Sequence, residues 1–122
     1  MKKKMMQTGL TVAIIFLVFN VSSAHKPTTI NLTYDLQNQS LSVWVGYYTE
    51  SRESNYVKSI EIKVNGKTYQ TYTFTRQAFK SGTVVHYYNV EAKPGDVIEV
   101  TATSTTNESK TETLNVEDAK QP

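Results

Sequence analysis

From Ile30 to Val116 the chain alternates apolar and polar residues in short runs separated by turn residues. Period two is the signature of strands with one face buried and one solvated. Ile30, Leu32 and Tyr34 form the first run, and Leu41, Val43, Val45 and Tyr47 the second, across the polar turn Gln37-Asn38-Gln39. A polar loop follows from Thr49 to Asn55. In the third run, Tyr56 to Val64, Val57 precedes Ile60 by three positions, out of step with Ile60, Ile62 and Val64. One extra residue near Lys58 restores the phase, so a β-bulge is expected there.

Asn65-Gly66 supplies the two left-handed residues of a type I′ hairpin, which directs the chain into a partner strand from about Thr68 to Thr75. Tyr72 and Phe74 are expected on its core side. After a loop from Arg76 to Gly82, Val84, His86, Tyr88 and Val90 share one parity and form the next expected inward face. Lys93-Pro94-Gly95-Asp96 fits a type II turn. Ile98, Val100 and Ala102 then point inward, Ser104 to Lys110 turns the chain, and Leu114 and Val116 close it. Seven short strands without a helix predict an all-β protein, an immunoglobulin-like antiparallel β-sandwich. A small closed barrel is the competing arrangement.

The segment ahead of these strands follows different rules. Lys2, Lys3 and Lys4 lead an apolar run from Leu10 to Phe19, which ends at Ser22-Ser23-Ala24. A basic start, a short apolar stretch and small residues before a cut are the parts of a secretory signal peptide. The run is too short for a bilayer, which takes roughly 20 residues, so cleavage after Ala24 is expected rather than an uncleaved anchor. Residues 1–24 are therefore assigned as signal peptide, 25–117 as the sandwich and 118–122 as a frayed polar tail. The mature protein is expected to be periplasmic or secreted, with no membrane span.

Removal of the leader changes the charge. Of 13 Lys and Arg residues, 10 remain against 11 Asp and Glu, so +2 becomes −1. No basic stripe is left to neutralise phosphates, and nucleic-acid binding is not expected. Cysteine is absent, which excludes thiol catalysis and Cys-ligated metals and leaves the core to hold the domain without disulfides.

Candidate chemistry is sparse. Cleavage makes His25 the new N-terminus, whose amino and imidazole nitrogens suit copper. His86 is the other histidine, so His25 and His86 are the candidate ligands of a copper or iron site, although the parity of His86 equally suits a core or sheet-edge residue. Two histidines and no nucleophile elbow give no catalytic triad. Glu50 and Glu53 share a loop with Arg52 between them, a solvated cluster rather than a glycosidase pair. No catalytic residue is assigned, and the expected cofactor is none. Aromatic residues are the more unusual feature. Trp44 and Tyr48 lie opposite Val43, Val45 and Tyr47, and Tyr69 and Tyr87 add further rings. Trp44, Tyr48 and Tyr47 are the candidate binding surface for a protein or carbohydrate partner, with cross-strand ring pairing as the alternative.

Tyr47-Tyr48 followed by Asn55-Tyr56-Val57-Lys58-Ser59-Ile60-Glu61-Ile62 resembles the catalytic domain of superoxide reductases, the desulfoferrodoxin and neelaredoxin group. In that family a His-Pro pair and a His-Tyr-Ile-x-x-Ile segment carry iron-ligating histidines on an immunoglobulin-like sandwich. The chain looks especially similar to small exported relatives whose mature end begins near His-x-Pro, as His25-Lys26-Pro27 does here. Tyr47 and Asn55 replace the two histidines, and the family's final Cys and neighbouring His have no counterpart. The resemblance thus implies the fold without the iron centre. A looser likeness, on Val64-Asn65-Gly66 and Gly95-Asp96-x-Ile98-x-Val100, is to the sandwich subunit of the thiosulfate-oxidising carrier complex. The expected role is exported, non-catalytic binding or assembly through the aromatic face or the Thr49–Asn55 loop, with metal binding at His25 as the alternative.

Overall fold

A computed structural model describes residues 26–117. Residues 1–24, His25 and the segment 118–122 lie outside the described residues. Seven strands run in chain order: β1 (Thr29–Asp35), β2 (Ser40–Gly46), β3 (Val57–Val64), β4 (Lys67–Thr73), β5 (Gly82–Tyr87), β6 (Val97–Ser104) and β7 (Ser109–Asn115). They form a three-stranded sheet ordered β1-β2-β5 and a four-stranded sheet ordered β4-β3-β6-β7. All five ladders are antiparallel. The chain crosses between sheets at β2–β3, β4–β5 and β5–β6, so this is an immunoglobulin-like sandwich. β1 lies against β7 across one open side without joining its sheet, which rules out the closed barrel.

Alternation explains the core. Leu41, Val43 and Val45 from β2 meet Ile60 and Ile62 from β3 and Ile98 and Val100 from β6, all fully buried. Full burial of one such side chain stabilises by about 1.5–3 kcal/mol, so a chain without disulfides can rely on these layers. The expected bulge is present, with the β3–β6 register shifting between Val57 and Ser59. It lets Val57 and Ile60, three residues apart, both face inward.

Two assignments shift. A second bulge, opposite Ile62/Lys63, leaves Tyr69 out of the β3–β4 pairing. Tyr72 faces the core side opposite Ile60 but sits at the sheet edge and is 39% exposed. The expected phase of β5 is reversed: Thr83, Val85 and Tyr87 are buried, while Val84, His86 and Tyr88 are exposed. Val84 and Val85, then Tyr87 and Tyr88, place rings or branched chains on both faces, so alternation alone carries no phase here. Pairing with β2 decides it, because Val85 lies opposite the buried Val43. Val90 still reaches the core because Asn89, with φ of 62°, breaks the strand just before it.

The turns also tie to one another. Asn65 and Gly66 adopt φ of 52° and 81°, as a type I′ turn requires, and Gly95 adopts 96°. Asn65 bonds Val97 in both directions, from its N–H to the carbonyl at 2.8 Å and from the Val97 N–H to its Oδ1 at 2.9 Å. Its Nδ2 donates to Asp96 Oδ1 at 3.0 Å. Asp96 also accepts from the Lys93 N–H. The Asn65 amide and then this N–H hold the Asp96 carboxyl below the usual carboxylate range. Both bonds favour the ionised form, so their stabilisation is present above the ordinary carboxylate pKa and is lost as pH falls through the lowered one. Asn65→Ala is expected to cost about 1–3 kcal/mol, from the left-handed backbone and the lost side-chain bonds. Urea unfolding measures that loss, and an NMR titration should show the Asp96 carboxyl rising toward its ordinary value.

Candidate aromatic binding face

The outward face of β1-β2-β5 is built in rows. Thr33, Ser42 and His86 lie side by side, then Asn31, Trp44 and Val84, then Thr29, Gly46 and Gly82. Tyr88 follows just beyond β5. These three rows carry no acidic side chain and no Lys or Arg, while the next row of the same face pairs the exposed Asp35 with Ser40. The outward face of the other sheet is different, with Glu61, Lys63 and Glu99 set among threonines and serines. There Thr101 bonds Thr111 and Thr103 bonds Ser109, each at 2.8 Å. One face is thus a hydroxyl-and-charge surface and the other is aromatic.

Trp44 occupies the middle of the aromatic face because Gly82 makes room for it. A Cβ on Gly82 would lie 2.8 and 3.0 Å from Trp44 Cζ2 and Cη2, and 2.2 Å from the Val45 carbonyl oxygen. Phe79, in the loop before β5, leans on the indole with ring centroids 6.4 Å apart at 44°. Phe79 is 51% exposed, Tyr88 68% and Val84 40%. Large apolar groups that remain solvated in a folded domain mark surfaces suited to a partner. Tyr48 is exposed at the end of this face, where its hydroxyl donates to Glu50 Oε2.

Tyr47 does not belong to this surface. It is 1% exposed, packs in the core and donates from its hydroxyl to Asn55 Oδ1 at 2.5 Å. Tyr87 is likewise buried and donates to the Ile60 carbonyl at 3.0 Å; burial, then Tyr72, pushes its hydroxyl pKa well up. Neighbours in extended chain point opposite ways, and each Tyr-Tyr pair, at or just past a strand end, contributes one ring to the core.

Two residues that sequence reasoning missed position the face. Phe79 is one, and Gln77 is the other. Gln77 is completely buried in the β4–β5 loop. Its Nε2 donates to the carbonyls of Tyr47 (2.7 Å) and Phe79 (2.8 Å), and its Oε1 accepts from the Val57 N–H at 3.0 Å. Its own N–H donates to the Arg52 carbonyl, while Arg52 Nη1 donates back to the Ala78 carbonyl at 2.9 Å. A glutamine in a polar loop carries no sequence sign of burial.

His86 is exposed, with Nδ1 3.0 Å from Ser42 Oγ. His25 lies outside the described residues, so its relation to His86 is not shown. Among the described residues no group of three or more His, Cys, Asp or Glu could hold a metal ion. In the Thr49–Asn55 loop an open cleft of about 650 Å³ is lined by Glu50, Arg52, Glu53, Arg76 and Lys80. The Tyr48 hydroxyl, then Lys80 at 3.5 Å, holds the Glu50 carboxyl below its usual range. A general acid at neutral pH needs the opposite shift.

No family model matches the chain, and no curated protein matches it.

Gln77→Leu is expected to destabilise by about 2–4 kcal/mol, since it strands the buried Val57 N–H and removes a donor from the Tyr47 and Phe79 carbonyls, a loss read from denaturant midpoints. Gly82→Ala should displace the indole, at a cost of about 1–3 kcal/mol. Because Trp44 is the sole tryptophan, its emission and near-UV dichroism report that displacement directly.

Proposed function

We propose that this protein is an exported, non-catalytic binding or assembly module that engages its partner through the outward face of β1-β2-β5. The observation that carries this reading is the contrast between the two outer faces. Trp44, Phe79, Val84 and Tyr88 present rings and apolar surface on a rigid sheet, bordered by the short neutral side chains of Asn31, Thr33 and Ser42. Rings held by a scaffold bind with little loss of side-chain entropy. The rows around Trp44 are uncharged and the face carries one carboxylate, Asp35, at its end, which favours a largely neutral partner surface, either a neutral saccharide or the apolar face of another protein. Export rests on the leader-like residues 1–24. In this reading the likeness to superoxide reductase domains is one of architecture, with a Tyr47–Asn55 hydrogen bond where that family binds iron.

A photo-crosslinker at position 88, in cells that export the protein, is expected to capture a protein partner. A panel of neutral oligosaccharides titrated against Trp44 emission tests the other class. With whichever partner is found, Tyr88→Ala and Phe79→Ala should each weaken binding about tenfold, the cost of about 1.4 kcal/mol typical of an interface anchor. Undiminished affinity in both variants sinks the proposal.

A further inference from the structure

Within the outward face of β1-β2-β5, rings and free hydrogen-bonding groups lie on different sides. The rings keep to the β5 side. The Trp44 indole reaches from β2 over Gly82, which is buried although it has no side chain. The indole therefore lies along the sheet rather than standing off it. Phe79 leans on it at one end, and Val84, His86 and Tyr88 continue the strip, all four exposed. Six steps of extended chain run from Gly82 to Tyr88, so the strip is ~20 Å long.

The polar side chains keep to the β1 side. Asn31 lies opposite Trp44 and Thr33 opposite Ser42, both outward and exposed. Ser42 Oγ is paired with His86 Nδ1 at 3.0 Å. The Asn31 amide and the Thr33 hydroxyl bond no other group among the described residues. Asp35, at the end of the face, is already engaged by its own turn: its carboxylate accepts from the Gln37 and Asn38 N–H groups and from Asn38 Nδ2. A ligand on this face thus meets an apolar strip with neutral donors and acceptors along one flank.

That division separates the two partner classes. An apolar protein surface laid across both sides would bury the Asn31 amide and the Thr33 hydroxyl without partners, which is costly. A sugar ring is itself divided in the matching way. Its C–H groups form an apolar face that packs on the electron-rich face of an aromatic ring, and its rim of hydroxyls both donates and accepts, as an amide and a hydroxyl require. We infer that this face holds an extended, neutral, β-linked polysaccharide, its rings stacked on Trp44 and Tyr88 and its hydroxyls bonded to Asn31 and Thr33. The assignment rests on the binding role proposed above for the same face. A polymer fits better than a single sugar, because the strip is several sugar rings long.

Calorimetric titration of the purified exported protein with cellohexaose, xylohexaose and mannohexaose, each beside its disaccharide, tests the inference. At least one hexasaccharide is expected to bind with a dissociation constant below ~1 mM, about tenfold or more tighter than its disaccharide, and to shift Trp44 emission. Asn31→Ala and Thr33→Val should each weaken that binding about fivefold, the loss of one hydrogen bond. Unchanged near-UV dichroism confirms that each variant is folded. Failure of all three hexasaccharides to bind overturns the inference. So does a disaccharide bound as tightly as its hexasaccharide, or an affinity unmoved in both variants. The wider reading is judged separately: a protein crosslinked at position 88, whose binding weakens in Tyr88→Ala and Phe79→Ala, leaves it standing while the saccharide falls.

Discussion

A single buried amide closes one end of this sandwich. Gln77 reaches from the β4–β5 loop to the end of β2, the start of β3 and its own loop, accepting from the buried Val57 N–H and donating to the Tyr47 and Phe79 carbonyls. Each such bond contributes only about 1 kcal/mol net, but leaving its partner unpaired costs up to about 3. The loop therefore has little choice of conformation. Its geometry sets Phe79 against Trp44 and brings Gly82 into β5, where the missing side chain admits the indole. The aromatic face is a consequence of this closure as much as of the strands that carry it.

The two sheets then take different surface roles. The four-stranded sheet turns hydroxyls and scattered charges outward, a solvated surface stitched by Thr–Thr and Thr–Ser bonds. The three-stranded sheet turns rings outward. A small domain without disulfides retains such features at some risk of aggregation, and a use for them reconciles that risk with the economy of the rest of the chain.

Much of the architecture is legible in the sequence. Val57 and Ile60 are spaced for a bulge, and the bulge is there. Asn65-Gly66 and Pro94-Gly95 name their turns through backbone preferences that act over four residues. Legibility failed where the local signal is two-sided. In β5 both parities carry apolar residues, so the side facing the core could not be read from the strand itself. Tyr47 follows the inward parity of Val43 and Val45 and belongs to the core, although its neighbour Tyr48 drew it into the candidate surface. The second bulge, which frees Tyr69, answers to cross-strand packing and leaves no pattern in β4 alone.

By itself the sequence determined the all-β class, the approximate strands, the turn types and the absence of thiol chemistry, because each depends on neighbours a few residues apart or on composition. Tertiary structure alone decided which tyrosines are buried, which way β5 faces and that Gln77 is a core residue. Those outcomes depend on contacts between residues twenty or more positions apart, such as Val57 with Gln77 and Val43 with Val85. A period-two pattern states that a strand has two faces; only the opposite sheet says which of them meets water.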